Sequence, residues 1–222
     1  MLYAVATPIG NLEDITLRAL SIFKIADLVL AEDTRKTGFL LKYFKIKKKL
    51  VSFYEHNEVR KIPVIIQKLK QGQDIVLVSS AGTPSISDPG YKLIRECRIL
   101  NIPITSLPGP SSIVNALSVT SLPHEKFAFL GYLPRKSNAC KILLEKCKKW
   151  DLALVFFESP YRVVKSLNIL QEVFGPDEKI AVFREMTKKF EETLECSLKE
   201  ALSYFTIKSP KGEFTLIIRP IG

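Results

Sequence analysis

Ile75-Val76-Leu77-Val78-Ser79-Ser80-Ala81-Gly82-Thr83-Pro84-Ser85-Ile86-Ser87-Asp88-Pro89-Gly90, followed by Tyr91-Lys92-Leu93-Ile94-Arg95-Glu96-Cys97, carries the reading of the fold. The unbroken apolar run Ile75–Val78 predicts a strand buried on both faces, as in a parallel sheet. The segment from Tyr91 predicts a helix. Between them lies a loop at the carboxyl end of a strand, the edge at which open α/β sheets hold their ligands. It is longer than the roughly two to six residues usual for such a connection. Gly82, Gly90, Pro84, Pro89 and small hydroxyl residues let backbone approach a ligand while keeping the loop in shape.

The same rhythm extends outward in both directions. Strands are expected at Leu2–Thr7, Leu28–Ala31, Leu50–Tyr54 and Ile104–Leu107. Helices are expected at Thr16–Ile25, Thr34–Phe44, Val59–Lys70 and Ser111–Val119. Leu17, Leu20, Ile22 and Phe23 fall on or near one face of the first helix, and Val64, Ile65 and Leu69 point inward from the third. Strand alternating with helix is the signature of a parallel sheet. A short polar break with a proline, Thr120-Ser121-Leu122-Pro123-His124-Glu125, reads as the domain boundary. Beyond it come strand Phe127–Tyr132, helix Lys136–Trp150, strand Leu152–Phe157, helix Arg162–Phe174 and strand Ile180–Arg184. Strands Glu192–Cys196 and Phe214–Ile218 flank a helix at Leu198–Phe205. The expectation is an α/β protein, with a parallel-sheet amino-terminal domain (1–120) and a mixed-sheet carboxyl-terminal domain (121–222).

With 222 residues the chain can bury a substantial core, and its 33 basic against 23 acidic residues give a net charge of +10. That charge favours an anionic partner, nucleic acid above all. Four scattered cysteines, with no CxxC pair and no histidine at metal spacing, argue against a zinc site or a disulfide scaffold. They fit a reducing cytoplasm. The amino terminus has neither a basic leader nor a long apolar segment, and no apolar run is long enough to span a membrane. No Gly-Lys-Ser/Thr closes the Ser79–Gly90 loop, so a P-loop enzyme is disfavoured.

Polar or glycine–proline clusters close most of the strands. They are Thr7-Pro8-Ile9-Gly10-Asn11, Glu32-Asp33-Thr34-Arg35, Glu55-His56-Asn57-Glu58, the Ser79–Gly90 loop and Leu107-Pro108-Gly109-Pro110-Ser111-Ser112. The second half adds Phe157-Glu158-Ser159-Pro160-Tyr161-Arg162 and Arg184-Glu185-Met186-Thr187-Lys188. In a parallel sheet the first five share one rim, which suggests a composite site.

The opening Ala6–Leu20 segment, Glu32-Asp33-Thr34-Arg35, His56-Asn57, the Ala81–Gly90 loop, Glu158-Ser159-Pro160, Arg184–Lys188 and Lys211-Gly212-Glu213 together resemble the tetrapyrrole-methylase superfamily, the class III S-adenosylmethionine-dependent methyltransferases, and the resemblance covers nearly the whole chain. Within it the likeness is to the branch that methylates the ribose 2′-hydroxyl of a cytidine in 16S ribosomal RNA. The resemblance implies a cofactor, S-adenosylmethionine, folded in the cleft between the domains. By motif, its contacts fall on Pro8, on Ser80, Ala81, Gly82 and Thr83 with Ile86, on Pro108, Gly109, Ser111 and Ser112, and on Phe157 and Met186. It further implies 16S rRNA of the small subunit as partner and, by analogy with superfamily relatives, a homodimer; the cysteine pattern already favours a cytoplasmic setting with no metal. The family loop usually reads Ser-Asp-Ala-Gly-Thr-Pro, whereas this chain carries Ser80 at the Asp position. Relatives often continue into a small helical extension beyond the point where this chain stops.

Transfer to a hydroxyl needs near-attack placement and benefits from a base. The candidates are Glu32, Asp33, His56, Glu158, Glu185 and Lys188. Arg35 and Arg162 suit phosphate contact through the guanidinium fork. Each has a structural alternative: Glu32-Asp33 as a helix-capping pair, His56 as a loop residue, Glu158 paired with Arg162, Phe157 as strand core. Lys45-Ile46-Lys47-Lys48-Lys49, and Lys141, Lys146, Lys148 and Lys149 on one helix, are the basic clusters open to RNA backbone. Two other functions stay in view: methylation of a small tetrapyrrole-like substrate, and a non-catalytic RNA-binding relative.

Overall fold

The computed structural model describes residues 1–208 and 210–220. They form two compact units, Met1–Ser111 and Ser112–Gly222. The first unit holds strands β1 (Leu2–Val5), β2 (Leu28–Ala31), β3 (Leu50–Ser52), β4 (Ile75–Val78) and β5 (Ile104–Leu107). Its helices are α1 (Leu17–Ile25), α2 (Thr34–Tyr43), α3 (Glu58–Lys70) and α4 (Tyr91–Ile99). The sheet runs in the order β3-β2-β4-β1-β5, and every pairing is parallel.

Alternate strand residues feed two cores, as a pleat of period two requires. Val5, Val29, Ala31, Val76 and Val78 pack with Ala19 and Phe23 of α1 and Leu40 and Leu41 of α2. Leu2, Leu28, Leu30, Ile75 and Leu77 pack with Ile65, Ile66 and Leu69 of α3 and Leu93 and Cys97 of α4. Covering both faces is what let the strands read as continuous apolar runs. Two expected core residues face solvent instead: Leu17, in the first turn of α1, and Val64, on the outer side of α3. The α3 stripe keeps the expected Ile65 and Leu69, with Ile66 buried in place of Val64. Thr16 caps α1 by accepting from the Ala19 nitrogen, and Asp33 caps α2 by accepting from the nitrogens of Arg35 and Lys36.

The second unit opens with α5 (Ser112–Leu117) and holds β6 (Phe127–Tyr132), β7 (Ala153–Glu158), β8 (Lys179–Arg184), β9 (Glu192–Ser197) and β10 (Phe214–Ile218). Helices α6 (Ser137–Cys147), α7 (Val163–Phe174) and α8 (Leu198–Ile207) complete it. Its order is β6-β7-β10-β8-β9, with β6–β7 parallel and the remaining pairs antiparallel, a mixed sheet. Phe156, Leu216 and Val182 meet Leu144, Leu167, Leu170 and Phe205 in its core. The units divide ahead of the Thr120–Glu125 break that the sequence suggested. α5 packs on β10, and the break itself is tied to β9: Glu195 accepts from the Thr120 hydroxyl at 2.6 Å and the Ser121 nitrogen at 2.9 Å.

Candidate active site

β1 and β4 are neighbours at the centre of the first sheet, so the loops after them leave the same edge side by side. They are stitched together there. The Thr7 nitrogen donates to the Gly82 carbonyl and the Gly82 nitrogen to the Thr7 carbonyl, both at 2.9 Å. The Thr83 hydroxyl donates to the Pro110 carbonyl at 3.2 Å, joining the loop after β5. Glu32, just past β2, accepts from the Ser80 nitrogen at 2.9 Å. A Cβ on Gly109 would stand 2.9 Å from the Cβ of Ala6, so only glycine lets that loop lie so close to β1.

Within the long loop Ser85 and Ser87 take left-handed backbone angles, φ 66° and 61°. Such conformations cost about 1–3 kcal/mol each and persist where surrounding contacts enforce them, commonly at functional sites. Glu58 anchors the end of this loop. It is buried, it accepts from the Gly90 nitrogen at 3.4 Å, and it pairs with Lys92 at 2.9 Å. The first-unit positions that the family likeness implicated therefore share one rim: Pro8, Ser80 to Thr83, Pro108 and Gly109. Ile86 lies exposed on the same loop.

The rim is rich in carboxylates. Burial, then the nearby Glu32 charge, pushes Asp88 up to about 6, against a weaker opposing pull from Ser79. A cation brought near Asp88 and Glu32 would relieve that repulsion. Backbone N–H and C=O groups on glycine–proline loops, together with two crowded carboxylates, form a donor and charge set that suits a cationic nucleoside cofactor. Asp33 behaves in the opposite way. The Arg35 side chain, through Nη2 at 2.9 Å and Nε at 3.2 Å, and then the Arg35 nitrogen hold its carboxyl far below the ordinary range.

Between these loops and α2 lies a hollow of about 720 Å³, lined by Thr7, Pro8, Gly10, Leu12, Asp33, Arg35, Lys36, Thr37, Phe39, Leu40, Ser79 and Ser80. Sequence reading singled out neither Phe39 nor the Thr7 hydroxyl, and it treated Asp88 only as part of a loop. An exposed phenylalanine one helical turn after Arg35 was the available signal.

The remaining candidates have the following surroundings. His56 is exposed beyond the edge strand β3, with its ring edge-on to Tyr54. In the second unit Glu158 is buried. One of its oxygens accepts from the Ser159 nitrogen, and the other takes the Ser166 hydroxyl and lies 3.4 Å from Arg162. Arg162 also donates to the Leu133 carbonyl. Glu158 and Arg162 are thus a structural pair: their burial and partners leave little for a substrate proton or a phosphate. Burial would lower the Lys188 ammonium, but Glu185 at 2.8 Å and Glu213 at 2.9 Å outweigh it and raise its pKa. That lysine is held as a cation. Burial tends to raise Glu185, but its bonds to Lys188 and the Glu213 nitrogen win and lower it. Phe157 sits edge-on to Phe129 and Tyr132, and Met186 is buried with its sulfur 3.9 Å from the Asn115 amide. Among the basic clusters, Lys48 is anchored on the Ala26 carbonyl, Lys141 on Glu172 and Lys148 on the Val173 carbonyl.

Among the described residues no helix is long and apolar enough to cross a membrane. The sequence profile of the Tetrapyrrole (Corrin/Porphyrin) Methylases matches residues 1–202. A Thermotoga maritima protein named "Ribosomal RNA small subunit methyltransferase I" is 46% identical, across 98% of this chain and 97% of its own. Proteins of the same name from Haemophilus influenzae and Escherichia coli O157:H7 are 44% and 42% identical, across 98% of this chain and 78% and 77% of theirs. The crystal structure of the methyltransferase CobJ superposes with a TM-score of 0.74 at 16% identity, covering 99% of this chain and 93% of that one. A Thermus thermophilus uroporphyrin-III C-methyltransferase complexed with S-adenosylhomocysteine gives 0.68 at 17%, covering 97% and 96%. The profile match and the long, highly identical relatives agree with the two sheets and the stitched rim: this chain belongs to the tetrapyrrole methylase family, whose members are S-adenosylmethionine-dependent methyltransferases.

Proposed function

We propose that this protein methylates the ribose 2′-hydroxyl of a cytidine in 16S ribosomal RNA. The observation that carries the reading is identity above 40%, over nearly the full length, to relatives bearing the small-subunit rRNA methyltransferase name. The strongly basic chain, at net charge +10, agrees with an RNA substrate.

Bound S-adenosylmethionine supplies an electrophilic methyl carbon. The chain's own task is placement and electrostatics. Backbone groups of Pro8, Ser80 to Thr83, Pro108 and Gly109 would hold the nucleoside and amino-acid parts of the cofactor, and the family likeness adds Ile86, Ser111 and Ser112. Phe157 and Met186 keep the cofactor roles that the family likeness gives them. Glu32 and Asp88 favour positive charge near the loop. Glu32 is the proton acceptor of this reading. Lys188 is held as a cation, Glu158 is buried and tied, Asp33 and Glu185 are held low, and His56 lies beyond the edge strand. The reading carries with it a cytoplasmic homodimer acting on the small ribosomal subunit.

The test is transfer of labelled methyl from S-adenosylmethionine to bare small subunits, followed by nuclease mapping of 2′-O-methylcytidine. A porphyrinoid acceptor runs in parallel. Label in the porphyrinoid alone would replace this reading with methylation of a small tetrapyrrole-like substrate.

A further inference from the structure

The hollow between α2 and the β1 and β4 loops borders the cofactor contacts proposed at Pro8 and Ser80, and it adds residues to which that reading gives no role. Thr7 is 4% exposed, and its hydroxyl has no hydrogen-bond partner among the described residues. The backbone around it is pinned by the paired bonds to Gly82, so the hydroxyl is held in place. A buried hydroxyl without a partner is unfavourable, and a ligand atom can satisfy it. Phe39 lines the same hollow, yet it is 63% exposed. A single exposed phenylalanine is ordinary. Here it stands one turn along α2 from Arg35, on the same helical face, with Lys36 also lining the cavity. The Arg35 side chain is 90% exposed even while it is forked onto Asp33. Asp33 already caps α2, so anion contact falls to these two side chains rather than to the helix end.

An aromatic face, two cations and an unsatisfied hydroxyl around one cavity are the parts used to hold an unstacked nucleotide. The hollow, at about 720 Å³, lies within the roughly 300–1,000 Å³ typical of ligand sites. We propose that it seats one splayed nucleotide of the RNA substrate, with the base on Phe39, the phosphates toward Arg35 and Lys36, and a sugar or base polar atom on the Thr7 hydroxyl. This deepens the RNA methyltransferase reading and rests on it. It assigns binding roles to Thr7, Lys36 and Phe39, which carried none before.

The experiment measures fluorescence anisotropy of a labelled single-stranded RNA of about ten nucleotides, with a central cytidine, against the full chain. Phe39→Ala is expected to weaken binding about tenfold, the scale of one lost stacking contact. Thr7→Val is expected to weaken it several-fold while the melting temperature holds or rises, because the substitution removes an unsatisfied polar atom. Lys36→Gln is expected to reduce the salt slope by about 0.7, one phosphate contact on a single strand. Binding within twofold of wild type in both Phe39→Ala and Thr7→Val overturns the assignment. So does a lowered melting temperature in Thr7→Val, which would mark the hydroxyl as structural. If wild type methylates small subunits while these variants bind RNA normally, the hollow alone is misassigned. If wild type neither methylates small subunits nor binds the RNA, the broader reading fails first.

Discussion

The carboxylate of Glu32 and the backbone nitrogen of Ser80, 48 positions apart in sequence, meet at 2.9 Å. Their contact ties the end of β2 to the loop after β4 and brings a negative charge to a loop that lacks the family's aspartate. With Asp88 also close to Glu32, the rim is acidic without a carboxylate at position 80.

Ser80→Asp adds a further carboxylate beside these two. It is expected to tighten S-adenosylmethionine about three- to tenfold by attraction to the sulfonium. S-adenosylhomocysteine, whose sulfur is uncharged, should gain less. The same crowding should lower the melting temperature by about 2–4 °C, the scale of 1 kcal/mol in a chain of this size. Calorimetry with both ligands checks the first expectation, and an unchanged or weaker S-adenosylmethionine constant would refute it.

Asp88 gives the protein a pH-dependent stability of defined sign. Its carboxyl titrates at about 6 in the folded chain, above its ordinary 3.8, chiefly through burial. Between those values the folded state binds more protons than the unfolded state, so this group's contribution to stability falls as pH rises from about 4 to 6. The penalty is complete above that window. Two pKa units would amount to about 3 kcal/mol, and partial exposure screens this to about 1–2. Asp88→Asn should therefore raise the melting temperature at pH 7.5 and leave it nearly unchanged at pH 4. Thermal melts of both proteins at the two values test this, and an equal shift at both would rule out the titration.

Glu58→Ala removes the carboxylate that holds Gly90 and Lys92. The Gly90 nitrogen is then left buried and unpaired, a loss of about 1–3 kcal/mol. The loop loses its anchor at Gly90, and hydrogen exchange should quicken in the 80–90 loop. Denaturant titration reads the first effect and amide exchange the second. Normal protection in that loop would mean that Glu58 does not hold it.

Gly212→Ala strains the second unit. The backbone there has φ +93°, and a Cβ would clash with the Glu185 side chain at its Cγ. Glu185 would have to leave the Lys188 ammonium and the Glu213 nitrogen. A cost of about 1–3 kcal/mol is expected from the backbone alone. The double variant Gly212→Ala/Glu185→Gly should recover only the part due to the side-chain clash, a division that paired denaturant melts would measure.

Both sheets were legible in the sequence because their strands obey simple burial rules. Ile75–Val78 is apolar throughout since helices cover both faces, whereas the stripes read for α1 and α3 each included one residue, Leu17 and Val64, that faces solvent. The rim was legible as motifs, since glycine and proline clusters are local. The division at Ser111 was not, because it depends on α5 packing against β10, a partner far along the chain. The roles of charged residues were the least legible. Glu158 and Lys188 looked as available as Glu32, and only the fold showed one buried against Ser166 and Arg162 and the other gripped by two glutamates.

What the sequence settled unaided was the alternation of strand and helix, the long loop after β4 and the family to which its motifs belong, because these are properties of neighbouring residues. What tertiary structure decided was which charges face one another and which polar atoms go unpaired. The raised Asp88, the tied Glu32 and the partnerless Thr7 hydroxyl all arise where loops far apart in sequence converge, and the cost of burying charge or a lone polar group depends on that convergence.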